Sequence, residues 1–217
     1  MFYTVERPHL QLALDVLDFD LALNIALQAE DYVDIIEAGT SFVKYNGIAG
    51  LRLLKERFAA KPVVADLKIV DAADVEVGMA SAARVDAITV MAVAPPETLR
   101  VAFERARTCG LQVIVDMLGV ADDVAKAHEL EPLRPDIILV HTGIDQQIAG
   151  LRPLQRLERL ARTTALSLGV AGGLQLADIP HLLTVPNLNL VVIGSGITSA
   201  IHPGEAARRF FEALSRR

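Results

Sequence analysis

The chain has 217 residues, a formal net charge of −6, 52% hydrophobic residues and no Trp. That is enough apolar material for one sizeable core, and its 22% of charged residues is ordinary for a globular domain. The acidic balance, the scarcity of aromatic rings and the lack of a basic block before Arg216-Arg217 argue against nucleic acid or an anionic membrane as a partner. An anionic substrate stays open, provided its charge is met locally by backbone amides, a Lys or a metal. Cys109 is the only cysteine, which excludes an intrachain disulfide and reads as inert near a helix end. With no signal pattern in Met1-Phe2-Tyr3-Thr4-Val5-Glu6-Arg7 and no apolar run of spanning length, the expected location is cytoplasmic.

Short apolar runs alternate with helical stretches from end to end. A strand over 10–14 leads to Asp15 and a helix over 19–29. The next strand, 33–37, ends on Glu37. The helix over 48–57 follows, and Leu51, Leu54 and Phe58 share one of its faces. The third strand opens the run Val63-Val64-Ala65-Asp66-Leu67-Lys68-Ile69-Val70-Asp71 and precedes a helix over 75–83. A strand over 87–91 is followed by a helix over 96–108. A strand over 112–115 reaches Asp116 and a helix over 120–129. A strand over 137–140 reaches His141, before a helix over 154–161. A strand over 165–170 runs into Ala171-Gly172-Gly173 and a helix over 177–183. The last strand, 190–193, meets Gly194-Ser195-Gly196, and a helix over 203–214 closes the series. Eight β-then-α units in unbroken order predict one domain over 1–217, a closed (β/α)8 TIM barrel. The strands are nearly continuous apolar runs, as expected when both faces are covered. An open doubly wound sheet is the alternative. It is disfavoured because the first β–α turn, Asp15-Val16-Leu17-Asp18, lacks a Gly-rich phosphate fingerprint.

The special residues recur at the carboxyl ends of the strands, which converge on one mouth of such a barrel. Asp66 and Lys68 are two apart and share a face on an extended strand, with Asp71 in the loop beyond. Charges at the end of a buried strand are costly to desolvate, which marks this run for chemistry. Asp15, Glu37, Asp66 and Asp116 bring four carboxylates to the mouth around Lys68, and unpaired they would raise one another's pKa values. A hard divalent ion held by one or two carboxylates, substrate oxygens and water would balance them, and Mg²⁺ fits. The competing reading is that some of these acids cap the following helix or pair with Lys68. It stands about even for Asp15 and Asp116 taken singly and is the weaker account of Glu37, Asp66 and Lys68 together. His141, in register with the other landmarks, suits proton transfer near neutral pH. His9, His128, His181 and His202 lack such company and read as structural or surface residues. Gly172-Gly173 and Gly194-Ser195 follow strands seven and eight, the usual phosphate site of this barrel, and favour a phosphorylated substrate.

The runs Ala13-Leu14-Asp15, Glu37-Ala38-Gly39-Thr40, Ala65-Asp66-Leu67-Lys68-Ile69-Val70-Asp71, His141-Thr142-Gly143-Ile144-Asp145-Gln146-Gln147 and Ala171-Gly172-Gly173 resemble the 3-hexulose-6-phosphate synthase family. That family lies in the orotidine-monophosphate decarboxylase suprafamily, close to 3-keto-L-gulonate-6-phosphate decarboxylase. The resemblance covers residues 10–214. It implies a Mg²⁺-dependent homodimer that reversibly joins formaldehyde to ribulose 5-phosphate through a Mg²⁺-stabilised enediolate, giving arabino-3-hexulose 6-phosphate. It further implies Glu37 and Asp66 as metal ligands, Lys68 on the substrate oxygens, His141 as acid/base, and Asp71 reaching into the other subunit's site. Asp116 stands where the decarboxylase has Glu. His141-Thr142-Gly143-Ile144-Asp145 stands where the decarboxylase has His-Arg-Ser-Arg-Asp. Both differences favour the synthase branch over decarboxylation, and a silent sugar-phosphate binding protein is the remaining alternative. The chain departs from the synthase pattern at Ile69, at Asp71-Ala72-Ala73, at Asn46 and in Met91-Ala92-Val93-Ala94-Pro95-Pro96. Ser195 stands where relatives often carry Arg, which leaves phosphate holding more to backbone amides.

Overall fold

Strands buried on both faces, with side chains alternating between lumen and helix layer, build the architecture. The computed structural model describes residues 6–216; residues 1–5, within the stretch read for a signal, and Arg217 lie outside the described residues. The strands are β1 (His9–Leu14), β2 (Ile35–Ala38), β3 (Val63–Ile69), β4 (Ala87–Met91), β5 (Gln112–Asp116), β6 (Ile137–His141), β7 (Leu168–Ala171) and β8 (Leu188–Ile193). All neighbours pair in parallel, and β1 pairs with β8, so the sheet closes into a barrel in sequence order. This is the expected single-domain (β/α)8 barrel.

One side-chain set per strand fills the lumen: Ala13, Ile35, Val64, Ala87, Ile114, Ile137, Leu139, Ala171, Leu190 and Val192. The alternate set, such as Leu12, Ile36, Ala65, Ile88, Val115 and Val140, packs outward against the helices in the larger core. Two residues beyond a lumen-facing apolar side chain comes another lumen-facing position. Ile35 thus leads to Glu37, Val64 to Asp66, Ala87 to Thr89, Ile114 to Asp116 and Leu139 to His141. The polar residues therefore form the layer nearest the carboxyl ends, above a dry plug.

The helices are α1 (Phe19–Ala29), α2 (Thr40–Arg57), α3 (Ala73–Ala82), α4 (Pro96–Cys109), α5 (Asp123–Leu130), α6 (Ile144–Ile148), α7 (Leu154–Ala161), α8 (Ile179–Leu182), α9 (Ser195–Thr198) and α10 (Pro203–Leu214), with 3-10 turns at Glu30–Tyr32, Glu131–Leu133 and Leu176–Asp178. In α4, Pro96 occupies the first turn, Gly110 caps the end in the left-handed conformation, and Leu99, Ala102, Phe103 and Ala106 form the buried stripe. The second helix begins eight residues before the expected 48 because two helical pieces meet at Gly47, whose φ of 65° and ψ of −170° break the ladder. The seventh strand begins at Leu168 rather than at 165, and the second at Ile35 rather than at 33. Val33 and Leu166, ahead of these two strands, pack against the core from the preceding loops instead. Among the described residues no helix is long and apolar enough to cross a membrane.

The opposite, amino-terminal end has its own carboxylates, with a structural task. Asp34, Asp86 and Asp136 each precede a strand and accept an N–H from the first or second residue of the strand before it: Leu10 at 2.7 Å, Val63 at 2.8 Å and Val113 at 2.8 Å. These amides lie at the frayed edge of the barrel, and the carboxylates satisfy them. Two open clefts lie at this end, lined in part by Asp86 and Asp136 and by Asp34 and Lys61. Neither approaches the carboxyl-end landmarks.

Candidate active site

Strand β3 does not reach its charges by a regular pleat. Ala65 pairs with Ile88 and Ile69 with Val90, so four residues of β3 oppose two of β4. Lys68 sits in the bulge with φ 49°, a left-handed conformation that costs a non-glycine residue roughly 1–3 kcal/mol. Thr89 on β4 holds it there. Its hydroxyl accepts the Lys68 N–H at 2.9 Å and donates to Asp66 Oδ1 at 2.6 Å. Asp66 and Lys68 do share a face, as the alternation predicts, but a bulge puts them there.

From Lys68 a continuous set of bonds crosses the lumen. Its Nζ lies 2.7 Å from Asp66 Oδ2 and 3.2 Å from Asp116 Oδ2. Asp116 Oδ2 also meets His141 Nδ1 at 2.8 Å, and its Oδ1 accepts the Leu118 N–H at 2.8 Å. Thr40, the first residue of α2, donates to Asp66 Oδ2 at 2.5 Å. Burial pulls the Lys68 ammonium down, but Asp66 and Asp116 outweigh it, and its pKa lies above the ordinary lysine value. Burial would raise the Asp116 carboxyl, yet the His141 hydrogen bond and charge, Lys68 and the Leu118 amide hold it below the usual aspartate value. Asp116 is therefore an acceptor, and His141 Nδ1 is the donor that faces it, with Nε2 outside this bond.

Glu37 is the opposite case. Burial first, then the charges of Asp66 and Asp15, outweigh Lys68 and the Gln11 hydrogen bond and push its carboxyl up to about 8. Gln11 Nε2 donates to Glu37 Oε2 at 2.5 Å, while the buried Gln11 Oε1 has no hydrogen-bond partner among the described residues. This corner of the lumen is short of positive charge. Among the described residues no group of three or more His, Cys, Asp or Glu is gathered for a metal.

The other expected residues ring the mouth. Asp15 is exposed, accepts from Ser41 Oγ at 2.7 Å, and lies against Gly39, where an added Cβ would sit 2.4 Å from its Oδ1. It neither caps α1, which Asp18 does, nor pairs with Lys68. Asp71 is exposed in the β3–α3 loop, outside the hydrogen-bonded set. Gly172 has φ 105°, and an added Cβ would lie 2.1 Å from the Thr142 carbonyl oxygen; Gly173 has φ 65°. Only glycine fits this turn, which joins the β7 loop to the β6 loop. Gly194 carries no such demand, since an added Cβ would meet nothing nearer than 3.7 Å, and Ser195 is exposed at the start of α9. The sequence reading gave no role to Gln11, Thr40 or Thr89. Gln11 and Thr89 are polar residues at lumen-facing positions within apolar strands, and that parity was the available signal.

The chain and its fold have counterparts among known proteins. The family model for orotidine 5'-phosphate decarboxylase / HUMPS proteins matches residues 8–210. The 3-hexulose-6-phosphate synthase of Staphylococcus haemolyticus is 38% identical over 206 residues, covering 94% of this chain and 98% of that protein. The crystal structure of 3-hexulose-6-phosphate synthase from Salmonella typhimurium superposes with a TM-score of 0.90 at 36% identity, over 95% of this chain and 98% of that one. The crystal structure of a KGPDC complex from Streptococcus mutans matches with a TM-score of 0.89 at 25% identity, over 96% and 98% of the two chains.

Proposed function

This chain belongs to the orotidine 5'-phosphate decarboxylase / HUMPS family, and from that premise we propose that it condenses formaldehyde with ribulose 5-phosphate to give arabino-3-hexulose 6-phosphate. The observation that carries the reading is the bonded set Asp66–Lys68–Asp116–His141 across the lumen. It places a fixed cation beside a histidine whose Nε2 is free to accept a proton, the arrangement an enediolate needs.

His141 Nε2 takes the proton from C1 of the sugar phosphate, and the electron pair moves onto the neighbouring carbonyl oxygen. Lys68 donates to that oxygen as its charge grows. Because Asp66 and Asp116 already fix the ammonium, little reorganisation is needed at that moment. The enediolate carbon attacks the formaldehyde carbon and forms the C–C bond, and the new alkoxide takes a proton from the imidazolium. Asp116 holds the ring throughout by the Nδ1 bond. The turn at Gly172-Gly173 and the loop at Gly194-Ser195 would hold the phosphate through backbone amides.

Glu37 and Asp66 are the residues that would hold a Mg²⁺. The fit rests on a buried carboxyl pushed up to about 8 by burial and Asp66, beside the unpartnered Gln11 Oε1. Two carboxylates with water and substrate oxygens suit Mg²⁺, which when bound supplies a Lewis acid for the substrate oxygens. A homodimer with shared sites fits the exposed Asp71 and the exposed apolar side chains of Val70, Val75 and Met79 beside it.

The test is formaldehyde consumption with ribulose 5-phosphate, with Mg²⁺ and after EDTA. Mg²⁺-dependent loss of both substrates supports the reading. CO₂ release from 3-keto-L-gulonate 6-phosphate in place of the condensation would move the chain to the decarboxylase branch. Ligand binding with no turnover of either substrate would leave a binding protein.

A further inference from the structure

Arg156, on α7, makes four hydrogen bonds that serve two purposes. Its Nε and Nη2 fork onto the carboxylate of the buried Asp123 at 3.0 and 2.7 Å. Its Nη1 donates to the His141 carbonyl oxygen at 2.9 Å, and Nη2 also donates to the Met117 carbonyl oxygen at 3.1 Å. An ordinary ion pair would need only the first two bonds. The other two tie the ends of two neighbouring barrel strands, one at His141 itself and one at the residue after Asp116.

The sheet supplies no such tie at that level. The β5–β6 register ends at Asp116 with Leu139, and the Met117 N–H to Leu139 carbonyl bond, at 3.0 Å, is its last backbone link. His141 lies two residues further on, paired instead with Ala171 of β7. The Asp116–His141 contact therefore bridges two strands where their own pairing has stopped. A planar guanidinium, oriented by Asp123, sets the spacing of the two backbones just behind that contact. Asp123, the first residue of α5, is 1% exposed and is shared with Arg159 at 3.2 Å, so the anchor is rigid.

We propose that Arg156, held by Asp123, is a positioning residue that fixes the Asp116–His141 pair for proton transfer. The inference rests on the role assigned above to His141, so one readout is independent of turnover. Arg156→Lys keeps a cation for Asp123, but a single ammonium cannot hold the carboxylate and both carbonyls together. The variant is expected to fold with a Tm lower by several degrees, from the buried hydrogen bonds it loses, and to lose roughly 10- to 100-fold in kcat, with KM for ribulose 5-phosphate within about threefold of wild type. The His141 Nδ1–H signal in ring-nitrogen NMR is expected to shift or broaden. Asp123→Asn, which keeps the guanidinium but removes its fork, is expected to move that signal in the same way and serves if the lysine variant does not fold. An unmoved His141 signal overturns the proposal, whether or not kcat changes, and so does a wild-type kcat. Wild-type inactivity with this substrate pair would refute the proposed reaction, and the ring signal would still decide the clamp.

Discussion

Replacing Glu37 by Gln should stabilise the metal-free protein at alkaline pH. Glu37 is 7% exposed and its carboxyl is raised from 4.5 to about 8. Between those values the native state keeps a proton that the unfolded chain has released. The favourable contribution is fully present below the unfolded value and is lost as pH rises through the folded one. At about 1.4 kcal/mol per pH unit, this interval amounts to about 5 kcal/mol as an upper bound. A domain of this size shifts in Tm by roughly 2–4 °C per kcal/mol, so the full effect is about 10–20 °C. Glu37→Gln keeps a partner for Gln11 and removes the charge. The assay is thermal unfolding of both proteins in EDTA from about pH 5 to about pH 9. The difference in Tm should be small at the acid end and should grow through pH 7–8, with the variant above wild type. Mg²⁺ binds the deprotonated carboxylate, so adding it should raise the wild type most near pH 8 and above. Parallel Tm profiles in EDTA, or a wild-type advantage at high pH, would refute a buried, charge-starved Glu37.

Three further perturbations separate the layers of the molecule. Lys68→Ala should lose at least about 100-fold in kcat by removing the cation at the developing oxyanion. Mixed and refolded with inactive Asp71→Ala, it should recover activity through heterodimers that hold one intact site, and no recovery despite subunit exchange would count against sharing. Gly172→Ala would force a Cβ to within 2.1 Å of the Thr142 carbonyl oxygen at a φ of 105°. It should lower the Tm and raise KM for the sugar phosphate more than it lowers kcat, which steady-state kinetics would show. Asp136→Ala, at the other end of the barrel, leaves the Val113 N–H without its acceptor and should cost about 1–3 kcal/mol in urea unfolding with kcat unchanged.

The strand order and the site's polar layer were legible because parity and chain order carry them. The boundaries of α1, β4, α7 and α10 match the residues read from periodicity. Once Ile35, Val64 and Ile114 face the lumen, Glu37, Asp66 and Asp116 must follow at its rim. Three features were hidden, two of them by distance along the chain. The bulge at Lys68 depends on Thr89, 21 residues away, and no local pattern in β3 announces it. The helical piece over 40–46 was missed because Gly47 interrupts the apolar spacing before Ile48. Arg156 reads as one more charge on an amphipathic helix until Asp123 and two strand ends are seen to converge on it. Nor does sequence alone separate the acids at the two ends of the strands. Asp34, Asp86 and Asp136 look as prominent as Asp66, and only their place before a strand marks them as backbone partners.

In the proposed reaction His141, held by Asp116 and aided by Lys68, removes a proton from C1 of the sugar phosphate. Proton NMR of ribulose 5-phosphate in D₂O with the Mg²⁺-supplemented protein, formaldehyde omitted, tests it directly. One C1 hydrogen should exchange for deuterium, and His141→Asn should slow the exchange by at least about 100-fold while the sugar phosphate still binds. No exchange by a protein that consumes formaldehyde, or exchange undiminished in His141→Asn, would contradict it.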